Sequence, residues 1–87
     1  MTHPYQPIDC SLYDYFEMAC LFHYQVRLEL ADSDIIEGRC LDTQITPDKS
    51  EWLLLEISPT QRMSIRLDQI RRMTAITPGA RFTTIAC

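Results

Sequence analysis

Residues 12 to 30, LYDYFEMACLFHYQVRLEL, decide the fold, because the hydrophobic period changes once within them. Leu12, Tyr15, Phe16, Ala19, Cys20 and His23 follow the i, i+3, i+4, i+7 spacing of one helix face, with Asp9 or Ser11 placed to cap the first turn. From Tyr24 the pattern is strict alternation. Tyr24, Val26, Leu28 and Leu30 lie on one side and Gln25, Arg27 and Glu29 on the other, the signature of a half-buried strand. A short helix over about residues 11 to 21 is therefore expected to lead directly into a β-sheet.

The rest of the chain extends that sheet. The polar turn ADSD (31 to 34) ends the first strand, and the next, Ile35 to Thr46, is long and carries Gly38 where a bulge or bend is tolerated. The turn TPDKS (46 to 50) leads to EWLLLEIS (51 to 58), apolar enough for a central strand covered on both faces. QRMSIRL (61 to 67) alternates again, with Met63, Ile65 and Leu67 inward, and after a tight step at Asp68 the segment Ile70 to Thr77 continues extended. Pro78 and Gly79 close it, and ARFTTIA (80 to 86) supplies a last short strand. Trp52 reads as core or as a plug, and Met63 and Met73 as packing. The fold class predicted is mainly β with one N-terminal helix: a small antiparallel β-barrel of five or six strands over residues 24 to 86. Residues 1 to 9 form an extended lead-in, and all 87 residues make one domain.

Composition excludes several classes. Hydrophobic residues at 46% and charged residues at 23% belong to a globular chain. The longest apolar run is MACLF, far short of a membrane helix, and MTHPYQP lacks a basic start or apolar signal core, so a cytoplasmic protein with no membrane association is expected. Cys10, Cys20, Cys40 and Cys87 show no CxxC spacing, and His3 and His23 stand far apart, so no metal and free thiols are expected. A disulfide between Cys10 and Cys20 would have to bridge about 15 Å along a continuous helix. With no GxSxG, no nucleophile beside a base, and only Gly38 and Gly79 for a phosphate loop, neither an enzyme nor a cofactor site is expected.

The net charge of −4 is unevenly spread. Residues 1 to 60 hold eleven acids against Arg27, Arg39 and Lys49, or −8; the last 27 hold Arg62, Arg66, Arg71, Arg72 and Arg81 against Asp68, or +4. On a helical wheel Cys10, Tyr13, Asp14 and Glu17 fall together, opposite Leu12, Phe16 and Ala19. Two readings stay open for these acids: they favour a helix N-terminus electrostatically, or they form a surface for a positively charged partner. The arginines support an alternative, an RNA-binding module gripping phosphates, which the acidic balance opposes.

YQPIDC, YDYFEMAC, LEL at the end of the first strand, and IRLDQI together resemble the Rof (YaeO) family of small bacterial inhibitors of the transcription terminator Rho, over Tyr5 to Ile76. The resemblance implies an Sm-like (SH3-like) barrel behind one helix. It also implies binding to the N-terminal RNA-binding domain of the Rho hexamer, blocking its primary RNA site. By that resemblance the contact residues are Tyr5, Asp9, Tyr13, Asp14 and Glu17, joined by Asp48, Lys49 and Ser50 of the TPDKS loop. A free monomer and no direct nucleic-acid binding are expected. IRLDQI is also similar to the second Sm signature, but Leu67 stands where that signature has glycine, which argues against Sm-type RNA binding and ring assembly.

Overall fold

The computed structural model describes residues 8–87, so Tyr5 and all but the last two residues of the lead-in expected over residues 1 to 9 lie outside the described residues. Helix α1 (Cys10–Leu21) precedes β1 (Gln25–Leu30), β2 (Ile35–Ile45), β3 (Glu51–Ser58), β4 (Gln61–Arg66), a 3₁₀ turn η1 (Leu67–Gln69), β5 (Ile70–Ala75) and β6 (Thr84–Ala86). Asp9 takes the N-cap position of α1 without a side-chain capping bond. The helix stops where His23 enters the left-handed region, at φ 51°, and β1 starts two residues later.

The strands form one antiparallel sheet in the order β4-β3-β2-β1-β5-β6. The chain passes from β4, first in that order, to β5, fifth, through η1 alone. A flat sheet would hold these strands about 19 Å apart, four spacings, whereas a three-residue 3₁₀ turn rises only about 6 Å. The sheet must therefore roll up, and it does so as a barrel that is not closed by hydrogen bonds, with β4 and β6 at its two edges. Leu67 of η1 is fully buried in the one core cluster. Beside it Arg66 Nε meets Asp68 Oδ1 at 2.7 Å, with side chains only 11% and 4% exposed.

The core is the inner face of the roll closed by α1. Phe16, Ala19 and Cys20 from the helix meet Val26 and Leu28 of β1, Cys40 of β2, Leu53 and Leu55 of β3, Ile65 of β4, and Ile70 and Met73 of β5. The inward set of β1 is as the alternation predicts. Three expectations need correction. The bulge in β2 lies between Cys40 and Asp42 rather than at Gly38; it reverses the side-chain parity, so Thr43 faces Leu53 and Asp42 faces Leu54. β3 is covered on one face only: Leu53 and Leu55 are buried, while Trp52, Leu54 and Glu56 are half-buried on the other. Trp52 is accordingly neither core nor plug but pairs across the sheet with Gln44 and Arg66. Met63, expected inward as packing, lies opposite Leu55 but on an edge strand stays 37% exposed.

Gly38 is required for space. A Cβ there would lie 2.9 Å from the Glu56 carbonyl oxygen, 3.1 Å from Ile57 Cδ1 and 3.3 Å from Leu55 Cβ. The nearest atom is backbone and cannot swing away. Gly38→Ala is expected to destabilise the fold by about 1–3 kcal/mol. Urea unfolding monitored by Trp52 fluorescence measures this, and a loss below about 0.5 kcal/mol would contradict the close approach.

Candidate functional site

The site is built where α1 lies along the distal half of β2. Tyr13 Oη donates to Thr43 Oγ1 at 3.3 Å, and at the other end of the helix His23 Nδ1 lies 3.0 Å from the Cys40 carbonyl oxygen, which requires the proton on Nδ1. The two contacts meet β2 in reverse order, the earlier helix residue on the later strand residue, so α1 runs antiparallel to β2. Its N-terminal half therefore points toward the 46–50 loop that follows β2.

Asp14 and Glu17 are exposed on the side of α1 turned away from the core, as the wheel predicts. Neither lies in the first helical turn, which contains no acid. The helix dipole acts within that turn, so it does not account for them. With Asp42, Leu21, Phe22 and Arg81 they line a groove of about 630 Å³. Arg81 is committed there: its guanidinium lies over the Phe22 ring at 5.0 Å, and its backbone N–H donates to Tyr24 Oη at 3.0 Å. Phe22 stacks on Tyr24, and Tyr24 and Tyr15 both meet Phe82 edge-on, which fixes the 80–82 segment beside the helix.

Three strand arginines are paired with acids on neighbouring strands. Arg27 meets Glu37 at 2.8 Å, Arg39 meets Glu56 at 3.2 Å, and Arg72 meets Glu29 at 3.7 Å. No ion pair forms to Asp9, Asp14, Glu17 or Asp42 among the described residues. Each exposed pair contributes at most about 1 kcal/mol to stability.

The other sequence-predicted residues fall as follows. Asp9 is exposed at the start of α1. Tyr13 is half-buried, its hydroxyl committed to Thr43, so only part of it is open to a partner. Asp48 and Lys49 are exposed in the loop, Lys49 with φ 68°. Ser50 is only 3% exposed and belongs to the interior of its loop. Asp48 Oδ1 takes the Thr46 hydroxyl and, at 3.1 Å, the Ser50 backbone N–H, while the Thr46 N–H donates to Ser50 O at 2.9 Å. The Thr46 hydroxyl first, and then the Ser50 N–H, hold the Asp48 carboxyl below the usual carboxylate range. Asp42, Leu21, Phe22 and Arg81 were not singled out in the sequence; the bulge that turns Asp42 outward has no local sequence mark. Among the described residues no group of three or more His, Cys, Asp or Glu side chains could hold a metal, and no helix is long and apolar enough to cross a membrane.

Residues 7–87 match the family described as "Modulator of Rho-dependent transcription termination (ROF)". The protein named rof of Escherichia coli K12 is 36% identical over 70 residues, covering 80% of this chain and 81% of that protein, and the rof protein of Shigella flexneri matches equally. Among solved structures, YaeO bound to magnesium from Vibrio cholerae O395 superposes with a TM-score of 0.75 at 28% identity, covering 94% of this chain and 99% of that one.

The Asp48 geometry has a measurable consequence. Because its folded pKa is depressed, the loop's contribution to stability is present above the ordinary carboxylate value of about 3.9 and fades as pH falls through the lower folded value. NMR titration should give Asp48 a midpoint below about 3.9, and Thr46→Val should raise it. A midpoint that Thr46→Val leaves unchanged would show that the hydroxyl is not the cause.

Proposed function

The chain belongs to the Rof family of modulators of Rho-dependent transcription termination, and we propose that it acts by binding the N-terminal RNA-binding domain of Rho and blocking the primary RNA site. The observation that carries this reading is the unneutralised acidic side of α1: Asp14 and Glu17, exposed, beyond the reach of the helix dipole and without an ion pair among the described residues. A site that receives RNA phosphates must be basic. An acidic protein is attracted to it by charge complementarity, which speeds encounter, and once seated it excludes RNA by volume and by repulsion. Asp14, Glu17 and Asp42 supply the charge, Leu21 and Phe22 the apolar contact area, and Asp9 and Tyr13 extend the surface toward the helix start. Asp48 and Lys49 are a second contact on the loop that follows β2, and Tyr5 is assigned to the same surface through the family resemblance. Such a regulator performs no chemistry, needs no cofactor, and works in the cytoplasm where Rho meets its transcripts.

The alternative, an RNA-binding module acting through the C-terminal arginines, loses support from the pairing of Arg72 with Glu29 and from Leu67, whose buried place in η1 replaces the signature glycine.

The protein is expected to displace cytidine-rich RNA from Rho at moderate salt, with potency falling as salt rises. Asp14→Lys combined with Glu17→Lys should weaken Rho binding at least ~100-fold while leaving the melting temperature nearly unchanged, since neither side chain is packed. Failure of the wild-type protein to compete sinks the proposal. Direct RNA binding that is lost on replacing Arg71 and Arg72 establishes the alternative.

A further inference from the structure

Two thiols, Cys20 and Cys40, are buried in the core, Cys20 lining the acidic groove, and the function just described makes no use of them. Cys20, on the inner face of α1, and Cys40, on β2, belong to one core cluster. Their backbones converge on a single residue: the His23 backbone N–H donates to Cys20 O at 3.1 Å, and its Nδ1 lies 3.0 Å from Cys40 O. The register is held by two more bonds, Tyr24 N–H to Ala19 O at 2.9 Å and Cys40 N–H to Tyr24 O at 2.9 Å. The other two thiols are excluded as partners within α1 or by exposure. Cys10 and Cys20 stand at opposite ends of a continuous helix, about 15 Å apart in rise, and Cys10 and Cys87 are both exposed.

We propose that Cys20 and Cys40 are a redox pair that hydrogen peroxide converts to an intramolecular disulfide, stapling α1 to β2 beneath the groove. Cys20 is the attacking sulfur, because it is 8% exposed and lines the groove, whereas Cys40 is fully buried. The Cys20 sulfur attacks one peroxide oxygen and the O–O bond breaks, leaving a sulfenic acid at Cys20, while the thiol proton leaves with the departing hydroxide as one water. The Cys40 sulfur then attacks the Cys20 sulfur, the S–O bond breaks, and hydroxide leaves with the Cys40 proton as a second water. Two thiols lose two electrons and two protons, and one peroxide becomes two waters. The division of labour has a cause in the contact itself. A hydrogen bond to Cys20, followed by burial, pushes the Cys40 thiol up, which disfavours Cys40 as the first attacking sulfur. The inference is independent of Rho, since the chemistry needs only the folded chain.

The test uses the full chain carrying Cys10→Ser and Cys87→Ser, treated with hydrogen peroxide in native buffer. Expected are a mass loss of about 2 Da, a Cys20 to Cys40 linked peptide in a non-reducing map, a melting temperature several degrees higher, and reversal of all three by a phosphine reductant. Adding Cys40→Ser should replace the linkage with a gain of about 16 Da or more at Cys20. The proposal is overturned if the pair with both thiols intact gives only such oxygen adducts. It is equally overturned if Cys20 and Cys40 remain reduced under peroxide that oxidises Cys10 and Cys87 in the wild-type chain.

Discussion

The architecture depends on the three residues of η1. They join the strand at one edge of the sheet to the strand fifth in the order, and no flat sheet can satisfy so short a connection. Rolling is forced, and Leu67 at the start of the turn fills the space the roll creates. The turn is secured by Arg66 and Asp68, whose ion pair is largely shielded from water. Removing one partner of such a pair leaves a desolvated charge and costs more than the pair contributes, so the corner tolerates change poorly.

Rolling also sorts the charges. On the convex face long side chains from adjacent strands lie opposite one another, and three ion pairs join direct cross-strand partners: Arg27 with Glu37, Arg39 with Glu56, and Arg72 with Glu29. The last of these joins the acidic first part of the chain to the basic last part. The helix has no such opportunity. Between Cys10 and Leu21 there is no lysine or arginine, and its last turn holds no basic residue. The positions three and four away from Asp14 and Glu17 on the helix offer no cation.

Legibility in the sequence followed the range of the physics involved. The helix, the inward set of β1 and the outward face of Asp14 and Glu17 were readable because side-chain periodicity is a local property. The bulge between Cys40 and Asp42 was not, because inserting one residue into a ladder depends on its pairing with β3 and not on residue type. Trp52 misled because a large aromatic in an apolar run reads as core, whereas parity with Leu53 and Leu55 turns it to the other face. Arg81 over Phe22 joins residues far apart in the chain, and no local signal announces it. Ser50 looked like a surface loop residue because a turn composition says nothing about which of its side chains the turn folds inward.

What holds α1 in place bears on why its acids are there. A helix of 12 residues is marginal by itself, and two like charges three apart cost it a few tenths of a kcal/mol. Burial of Phe16 alone contributes about 1.5–3 kcal/mol, before Ala19 and Cys20 are counted. The inner face therefore outweighs the repulsion several-fold, and the outer face is released from any role in stability. Carboxylates that neither pack, cap nor pair are a small net cost to the isolated fold. A positively charged surface brought against them would offset that cost, which is the role the proposed contact with Rho gives them.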